Sequence, residues 1–439
     1  MEFSPEQQFA FDKFKIGENI FITGPGGTGK SFLIKEMVKW AQEGRKRISV
    51  CALTGCAAVL LECNAKTIHS WAGIGLGKTP VEKIAYRITR NSKKKSKWTQ
   101  TDILIIDEVS MMSKKIFELL NSLGKMLRKN NKPFGGIQLV FSGDFFQLPP
   151  VGEKDDLETR QFCFESELWK ETFEHEIQLN TIFRQKDPIY SKILNQIRVG
   201  AITKKSFALL QNYVMRPKNV NSDVEPTILY PTRHLVERKN KNALDKLDGE
   251  SRNFTLSEVE PSLLSLSEKE KQLSENFGIE EIEAERKQLI ASTNVEKELS
   301  LKFRAQVMCT INLEMDDEKP ICNGSQGIVV GFSHKKYPIV RFHNGKEKII
   351  EPFIWKSDTI PSVAFQQVPL ILAWALTIHK SQGATLDLAE IDVGHGIFEC
   401  GQTYVALSRV KSLEGLYLKS FNPFKIKINS KVKFYYKNL

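Results

Sequence analysis

Short apolar runs alternate with amphipathic segments through the first part of the chain. The apolar runs predict buried strands at residues 20–23, 48–53, 102–106, 136–142 and 176–178. A helix is predicted at residues 31–40, and Ser4 followed by Pro5 predicts the start of another helix near the N-terminus. This part of the chain is therefore expected to consist of strands connected through helices.

The pattern changes in the second half of the chain. A predicted strand at 227–230 and a helix at 235–247 precede residues 254–300, which are rich in Glu, Ser, Leu and Lys and predict a helical or flexible insertion. Short strands predicted at 327–330, 338–342 and 347–350, with Asn-Gly turns nearby, indicate a small antiparallel barrel. Residues 371–378 predict a further buried strand, and residues 401–410 a helix that ends in Arg409.

The most informative stretch is residues 24–31, Gly-Pro-Gly-Gly-Thr-Gly-Lys-Ser, which fits the phosphate-binding pattern G-x-x-x-x-G-K-[ST]. A predicted strand precedes it and a predicted helix follows it. Glycines let backbone N–H groups surround a phosphate, and the helix N-terminus adds the positive end of its dipole. Lys30 would reach the β- and γ-phosphates, and the Ser31 hydroxyl would bind Mg²⁺. We therefore predict that the chain binds a nucleoside triphosphate.

Polar residues also follow two other predicted strands. Asp107 and Glu108 come after residues 102–106, where a P-loop ATPase has an acidic residue that holds Mg²⁺ and a neighbour that polarises water. Gln147 lies in Gly-Asp-Phe-Phe-Gln-Leu-Pro-Pro, and its amide can orient water and sense a γ-phosphate. A surface charge pair and a proline-terminated turn are the alternatives, and the positions at strand ends favour catalysis.

Arg184 and Arg409 are candidate arginine fingers, which place positive charge on the γ-phosphate in the transition state. A surface arginine in a salt bridge is the alternative for Arg184. Gln8, which lies upstream of the phosphate loop, is the candidate for contacting the adenine edge.

Several side chains suit contact with nucleic acid. His69 and Trp71 stand next to small and hydroxylated residues, where they could bind a nucleic-acid strand or belong to the core. Phe145 could likewise fill the core or offer a stacking face. The lysines at 93–97 are predicted as a solvated loop or a DNA contact, and the basic tail at 425–437 as a solvated strand or loop.

Composition adds a charge argument. The 439 residues carry a formal net charge of +11, which favours a polyanionic partner such as nucleic acid, although many soluble proteins are basic without one. The seven cysteines show no zinc spacing and predict reduced thiols in an intracellular setting, nuclear, mitochondrial or cytoplasmic. No secretory signal is evident, and the longest apolar run is too short to span a bilayer, so no membrane partner is expected.

Taken together, these segments resemble superfamily-one helicases, and most closely the Pif (petite integration frequency) family of 5′-to-3′ DNA helicases. The resemblance extends from Ser4 to about Phe424 in unbroken motif order. Its most specific parts are residues 67–74 (Thr-Ile-His-Ser-Trp-Ala-Gly-Ile), 133–139 with 143–150, and 378–383 (Ile-His-Lys-Ser-Gln-Gly). One departure is Arg304, which stands before Ala-Gln-Val where the family usually has glycine.

The resemblance implies an α/β fold with two RecA-like parallel-sheet P-loop NTPase domains and ATP between them. The first domain is expected at residues 1–180, with a small wedge insertion at about 76–99. The second is expected at 181–253 and 367–439. Residues 254–366 would form an insertion with a helical or flexible segment and a small β-barrel.

The resemblance also implies ATP and Mg²⁺ as cofactors and assigns roles by motif position. The residues expected around the nucleotide are Gln8 at adenine and Gly24, Gly26, Gly27, Thr28, Gly29, Lys30 and Ser31 at the phosphates. Ser31 and Asp107 would serve Mg²⁺, Glu108 would act on water, and Gln147, Arg184 and Arg409 would close on the γ-phosphate. The DNA contacts expected are Thr54, His69, Trp71, Phe145 and His379.

The implied function is ATP-dependent 5′-to-3′ movement on single-stranded DNA with unwinding of duplex, by a monomer. Activity on G-quadruplexes or DNA–RNA hybrids, and roles in replication, repair, recombination and telomere maintenance, follow from the resemblance alone. The alternative is a single-strand translocase that displaces proteins without separating strands, which a defective wedge would favour. A non-catalytic binding module would require a broken ATP site, whereas every expected residue of that site is present.

Overall fold

The computed structural model describes residues 3–439 apart from 62, 76, 78, 154, 186, 218–224, 276, 294, 315–320, 322, 358–359, 384 and 387. Its contacts divide the chain into two compact units. Unit 1 contains the chain up to Arg216 together with Ser381–Leu439, and unit 2 is Pro217–Lys380. The domain boundaries expected from the family resemblance stay predictions.

Unit 1 begins with alternating helices and strands. Its first strands are β1 (Ile20–Thr23), β2 (Ile48–Ala52), β3 (Lys66–Thr67), β4 (Ile103–Asp107), β5 (Gln138–Ser142) and β6 (His175–Gln178). The helices are α1 (Pro5–Lys15), α2 (Lys30–Glu43), α3 (Gly55–Leu60), α4 (Ile68–Ala72), α5 (Val81–Arg90), α6 (Ser92–Gln100), α7 (Lys114–Arg128), α8 (Leu168–Thr172), α9 (Pro188–Arg198) and α10 (Lys204–Gln211). Ser4 caps α1 as predicted, because its hydroxyl accepts from the Gln7 N–H.

Within the described residues, these strands form one parallel sheet in the order β3–β2–β4–β5–β1–β6. Side chains alternate between its two faces. Ile103 and Ile105 of β4 pack in the core that includes α1 and α2, whereas Leu104 and Ile106 pack in the core that includes α7. Because both faces are covered, the strands are almost continuously apolar, and the predicted parallel α/β fold is confirmed.

The region predicted as a wedge insertion forms α5 and α6 in its described part, and Leu76, where that prediction begins, lies outside the described residues. Ile84, Ile88 and Trp98 are buried in the same core as α7. The prediction of a solvated loop for the lysines at 93–97 is wrong. These residues belong to α6, which Asn91 caps by accepting from the Lys94 N–H at 2.9 Å.

Unit 2 combines one parallel strand pair with antiparallel sheets. Its strands are β7 (Thr227–Tyr230), β8 (Arg252–Thr255), β9 (Ser257–Glu258), β10 (Glu298–Leu301), β11 (Gln306–Cys309), β12 (Gln326–Phe332), β13 (Pro338–Phe342), β14 (Glu347–Ile349), β15 (Phe353–Lys356), β16 (Ala364–Gln367), β17 (Leu370–Leu372) and β18 (Ala375–Thr377). Its helices are α11 (Arg233–Asp245), α12 (Glu268–Glu275) and α13 (Ile279–Ser292). Strands β14–β13–β12–β11–β17 form an antiparallel sheet, as the Asn-Gly turns and short strands predict.

Two predictions for unit 2 need correction. The insertion at 254–300 contains α12 and α13, but it starts and ends in strands, because β8 pairs antiparallel with β10. The single strand predicted at 371–378 is two strands. Strand β17 pairs with β11 and strand β18 with β7, and the Ala373 N–H between them donates to the Gln306 carbonyl at 2.9 Å. Arg304 has a φ of 67°, a left-handed backbone that favours glycine, which fits the glycine that the family resemblance implies here.

Unit 1 is completed by β19 (Ala389–Val393), α14 (Gln402–Leu407), β20 (Leu416–Phe421) and α15 (Ser430–Lys437). Strands β19 and β20 are parallel. The solvated strand or loop predicted for the basic tail at 425–437 is wrong for Ser430–Lys437, because these residues form α15, which buries Val432 and packs Tyr435 and Tyr436 against the core. In the described part of the chain, no helix is both long and apolar enough to cross a membrane.

Candidate active site

Residues 24–31 lead from β1, an inner strand of the parallel sheet, into the first turn of α2. Two of its glycines are required by backbone conformation and by space. Gly24 has a φ of 140°, and a Cβ there would lie 2.4 Å from the Leu179 carbonyl oxygen. Gly27 has a φ of 88°, and its Cβ would lie 2.5 Å from Arg184 Cβ. Side chains at these positions would push away the segment that follows β6.

Lys30 lies inside this loop. Its Nζ donates to the carbonyl oxygens of Gly24 at 2.7 Å and Pro25 at 3.0 Å. Burial lowers the pKa of Lys30, while the negative charges of Asp144, Glu108 and Asp107 oppose that shift. A buried ammonium group with backbone acceptors is stabilised by an anion, so the loop fits a phosphate group.

Asp107 and Glu108 lie at the end of β4, on the strand next to β5. Burial raises the pKa of both carboxyl groups, and the charge of Asp107 raises the pKa of Glu108 further. Glu108 has a left-handed backbone with φ 57°, and its Oε2 accepts from Gln382 Nε2 at 2.9 Å. Two carboxylates that disfavour each other's charge, Asp107 buried and Glu108 half-buried, are stabilised by a cation. Carboxylate oxygens and the Ser31 hydroxyl are donors of the kind that Mg²⁺ prefers.

The sensor and finger candidates lie in the same unit, where Gln147 and Arg409 are buried and Arg184 is half-buried. Gln147 is 4% exposed, and its Oε1 has no hydrogen-bond partner among the described residues. The Arg184 N–H points to the Gly27 carbonyl at 3.3 Å. Arg409 is 2% exposed and donates from Nε to the Val405 carbonyl at 2.9 Å. Burial and the positive charge of Arg184 lower the pKa of Arg409 to about 10. An anion between the two guanidinium groups would relieve their repulsion.

Gln8 does not lie at the loop. Its side chain is exposed, and Nε2 donates to Asp12 Oδ1 at 2.9 Å within α1. Gln7 is buried instead and donates from Nε2 to the Thr28 carbonyl at 3.2 Å. The neighbouring glutamine is therefore the one placed beside the phosphate loop.

Two of the predicted DNA contacts belong to the core. Trp71 is 3% exposed and packs on Trp98 with ring centroids 4.8 Å apart. Phe145 is 1% exposed and touches Phe21 and Trp169. A base cannot stack on a ring without an open face, so the prediction that these two rings bind DNA is corrected, and the alternative of core packing holds.

The other three candidates occupy different places. Thr54 caps α3 by accepting from the Ala57 N–H at 3.2 Å. His69 lines a cavity of about 220 Å³ in unit 1 together with Leu53, Ile116 and Pro150, and burial lowers its pKa. His379 lies in unit 2, in the turn after β18.

Several polar residues around the site were not among the sequence candidates. Besides Gln7 and Gln382, Tyr404 accepts from the Gly26 N–H at 2.8 Å, and Arg198 forms a buried ion pair with Asp144 at 2.8 Å. Gln382 lies within the motif at 378–383 and Tyr404 within the helix predicted at 401–410, so these segments were the available signal. Arg198 carried no comparable signal.

Known proteins resemble this chain over its whole length. A family model described as PIF1-like helicase matches residues 2–206. The ATP-dependent DNA helicase PIF1 of Emericella nidulans is 36% identical over 96% of this chain and 61% of its own length. The chain thus spans less than two thirds of the first curated relatives it matches.

Solved structures agree with the sequence comparisons. The Pif1 helicase of Candida albicans has a TM-score of 0.81 and 35% identity, covering 100% of this chain and 99% of that one. Pif1 helicase from Bacteroides in complex with ADP-AlF3 and single-stranded DNA has a TM-score of 0.72 and 29% identity, covering 100% and 97%. These neighbours have the RecA-like fold that the sequence predicts for this chain.

Proposed function

Because this chain belongs to the PIF1-like helicase family, we propose that it is an ATP-dependent DNA helicase. It would move 5′ to 3′ on single-stranded DNA and unwind the duplex ahead. The observation that carries the proposal is the set of buried and half-buried charges around the phosphate loop, namely Lys30, Asp107, Glu108, Arg184 and Arg409. Buried charges are costly to a fold, and here an ATP–Mg²⁺ complex would compensate them.

We propose the following division of work among these residues. The loop glycines Gly24, Gly26, Gly27 and Gly29, together with Thr28, would surround the phosphates, and Lys30 would neutralise them. Ser31 and Asp107 would hold Mg²⁺, which stabilises the charge on the phosphate oxygens when bound. Gln7, rather than Gln8, would contact adenine.

Hydrolysis itself would depend on Glu108 and on the residues that face it. Glu108 would accept a proton from the attacking water, with Gln382 holding its carboxylate at 2.9 Å. The unpartnered Oε1 of Gln147 would help orient that water. Arg184 and Arg409 would stabilise the charge that develops on the γ-phosphate, an effect of about 10³–10⁵ in rate for such arginines.

We propose DNA as the polymer partner on three grounds. The chain carries a net charge of +11. A family member from Bacteroides was crystallised with single-stranded DNA. Thr54, His69 and His379 stay candidates for contacts with it, whereas the rings of Trp71 and Phe145 are buried in the core.

A strand-displacement assay tests the proposal. Duplexes with a 5′ tail, with a 3′ tail and with a tail that carries a G-quadruplex are compared with and without ATP, and Lys30→Ala serves as the inactive control. We expect ATP-dependent unwinding of the 5′-tailed duplex by the wild type alone. Unwinding from 3′ tails only would contradict the polarity, and absence of DNA-stimulated ATP hydrolysis would contradict the enzyme assignment.

The same assay separates the alternative function. A translocase that displaces proteins would remove streptavidin from a biotinylated single strand in the presence of ATP and leave every duplex intact. The proposal has three finer parts: quadruplex unfolding, DNA–RNA hybrid unwinding and the monomeric state. Quadruplex and hybrid substrates test the first two, and sedimentation analysis tests the third.

A further inference from the structure

The C-terminal helix α15 inserts the Tyr436 side chain among the residues of the candidate active site. The Tyr436 hydroxyl accepts from the Phe145 N–H at 3.1 Å and donates to Asp144 Oδ1 at 3.4 Å. It also forms a hydrogen bond with the Thr23 hydroxyl. The ring stacks on Phe146 with centroids 4.7 Å apart. A helix from the end of the chain therefore has a buried polar contact in the ATPase core.

The three partners of this hydroxyl belong to two segments of the site. Thr23 is the last residue of β1 and immediately precedes the phosphate loop. Asp144 and Phe145 belong to the loop that carries Gln147, and the Asp144 carbonyl accepts from the Gln147 N–H at 2.8 Å. Tyr436 thus connects the strand that leads into the phosphate loop with the loop of the candidate water-orienting residue.

Asp144 is itself held by a second anchor. Arg198 of α9 donates from Nε and Nη2 to its carboxylate at 2.9 and 2.8 Å, and its guanidinium lies 5.2 Å from the centre of the Tyr436 ring. Without the Tyr436 hydroxyl, the Phe145 N–H would lose its acceptor in the core. A buried unpaired donor costs about 1–3 kcal/mol, so the loop would shift to find another acceptor.

We propose that Tyr436 is a positioning residue for ATP hydrolysis. Its hydroxyl fixes the loop with Gln147 relative to the phosphate loop, while the residue itself touches no reacting group. The inference rests on the proposed ATPase function and adds that hydrolysis depends on helix α15. Its effect falls on the rate of hydrolysis more than on nucleotide binding, because the phosphate loop keeps its own contacts with Lys30 and Tyr404.

The chain offers a matched control in the preceding residue. Tyr435 lies in the same helix, and its hydroxyl donates to Glu176 Oε1 of β6 at 2.6 Å. Its ring stacks on Phe164 at 4.4 Å. Tyr435→Phe therefore removes a hydroxyl of the same kind that bonds neither Thr23 nor the loop with Gln147.

The experiment compares the wild type, Tyr436→Phe and Tyr435→Phe in steady-state ATP hydrolysis at saturating single-stranded DNA, with thermal unfolding of each protein. We expect Tyr436→Phe to lower kcat about three- to tenfold, the equivalent of one hydrogen bond, with KM for ATP within about twofold. Tyr435→Phe should keep kcat within about twofold at a similar loss of thermal stability.

Equal kcat values in the two variants, with an active wild type, would overturn the inference and leave α15 a stabilising helix only. A rise in KM for ATP without a fall in kcat would overturn it as well. A wild type without ATP hydrolysis would instead reject the proposed function, so the two failures are distinguishable.

A double-mutant cycle of Thr23→Val with Tyr436→Phe adds a readout that stability alone does not change. Non-additive kcat losses support the bridge, and additive losses contradict it.

Discussion

Two interior regions of unit 1 differ in their side chains, because one contains charged groups and the other aromatic rings. In the nucleotide edge, formed by Lys30, Asp107, Glu108, Gln147, Arg184, Gln382 and Arg409, charged groups lie in the interior. Oε1 of Gln147 and Oε1 of Gln382 lack partners among the described residues. In the tryptophan cluster, formed by Trp71, Trp98 and the apolar side chains of α5, no charged group is buried and the rings pack at 4.8 Å. The Trp98 Nε1–H donates to the Ala72 carbonyl at 3.1 Å, whereas the Trp71 Nε1–H lacks a partner among the described residues.

The difference has an energetic meaning. Buried charges and unpaired amide oxygens lower the free energy of unfolding, so a fold retains them for binding or catalysis. Close-packed rings raise the free energy of unfolding, and the unpaired Trp71 Nε1–H offsets only part of that gain because it is neutral. Both kinds of residue stand in the motifs that suggest a helicase. Substitutions should therefore separate the two regions, with activity lost at the nucleotide edge and stability lost at the tryptophan cluster.

Lys30→Ala has the largest expected effect and acts on activity alone. Loss of the ammonium group removes the charge that neutralises the phosphates, so ATP hydrolysis should fall below detection, about 10³-fold or more. Burial lowers the pKa of Lys30, which means that its charge costs free energy in the fold, so the variant should stay folded. An ATP hydrolysis assay measures the activity, and circular dichroism measures the folded state. Lys39→Ala, on the exposed side of α2, is the control. Retained hydrolysis would mean that the phosphate loop is misassigned.

Trp71→Ala should show the opposite behaviour. Truncation of a ring that is 3% exposed leaves a cavity beside Trp98 and should cost about 3–5 kcal/mol of unfolding free energy in denaturant titrations. ATP hydrolysis and DNA affinity per folded molecule should stay close to wild type. Tyr86→Ala, at an aromatic residue that is 57% exposed, is the control. A large loss of DNA affinity with unchanged stability would restore the predicted DNA contact.

Local sequence information was sufficient for the parallel sheet and the phosphate loop. Strand β4 is apolar along its length, and the glycine pattern of the loop lies within eight consecutive positions, so each could be predicted from neighbouring residues. Asp107 and Glu108 could be located because a strand delivers its last residues to one edge of the sheet.

Contacts between distant residues could not be predicted in this way. Adjacent residues of a helix point in different directions, so only the packing of α1 distinguishes Gln7 from Gln8. Trp71 is a core residue because Trp98 covers it. The Tyr436 hydroxyl meets Phe145 across a sequence separation of 291 residues, and no local pattern in a basic tail indicates that contact.

Gln7→Ala should raise KM for ATP about tenfold, the loss of about one hydrogen bond to the base. KM for a nucleotide with a different base should change less than about twofold, because Gln7 is proposed to contact adenine. Gln8→Ala is the matched control and should leave both KM values unchanged, since the exposed Gln8 side chain donates to Asp12 within α1. A raised KM in Gln8→Ala with a normal value in Gln7→Ala would reinstate the original prediction.

Gln382→Leu tests the electrostatics of the nucleotide edge with the smallest expected effect. Burial and the charge of Asp107 raise the pKa of Glu108, and the hydrogen bond from Gln382 opposes that rise because it stabilises the carboxylate. Removal of the donor should therefore raise the pKa of Glu108 further. A general base is active when deprotonated, so the acid limb of kcat/KM for ATP should move to higher pH, by about one unit or less. The exposed residue Gln42 provides the control Gln42→Leu, with an unchanged profile. An acid limb that moves to lower pH, or a kcat/KM reduced equally at every pH, would show that Gln382 does not act through the ionisation of Glu108.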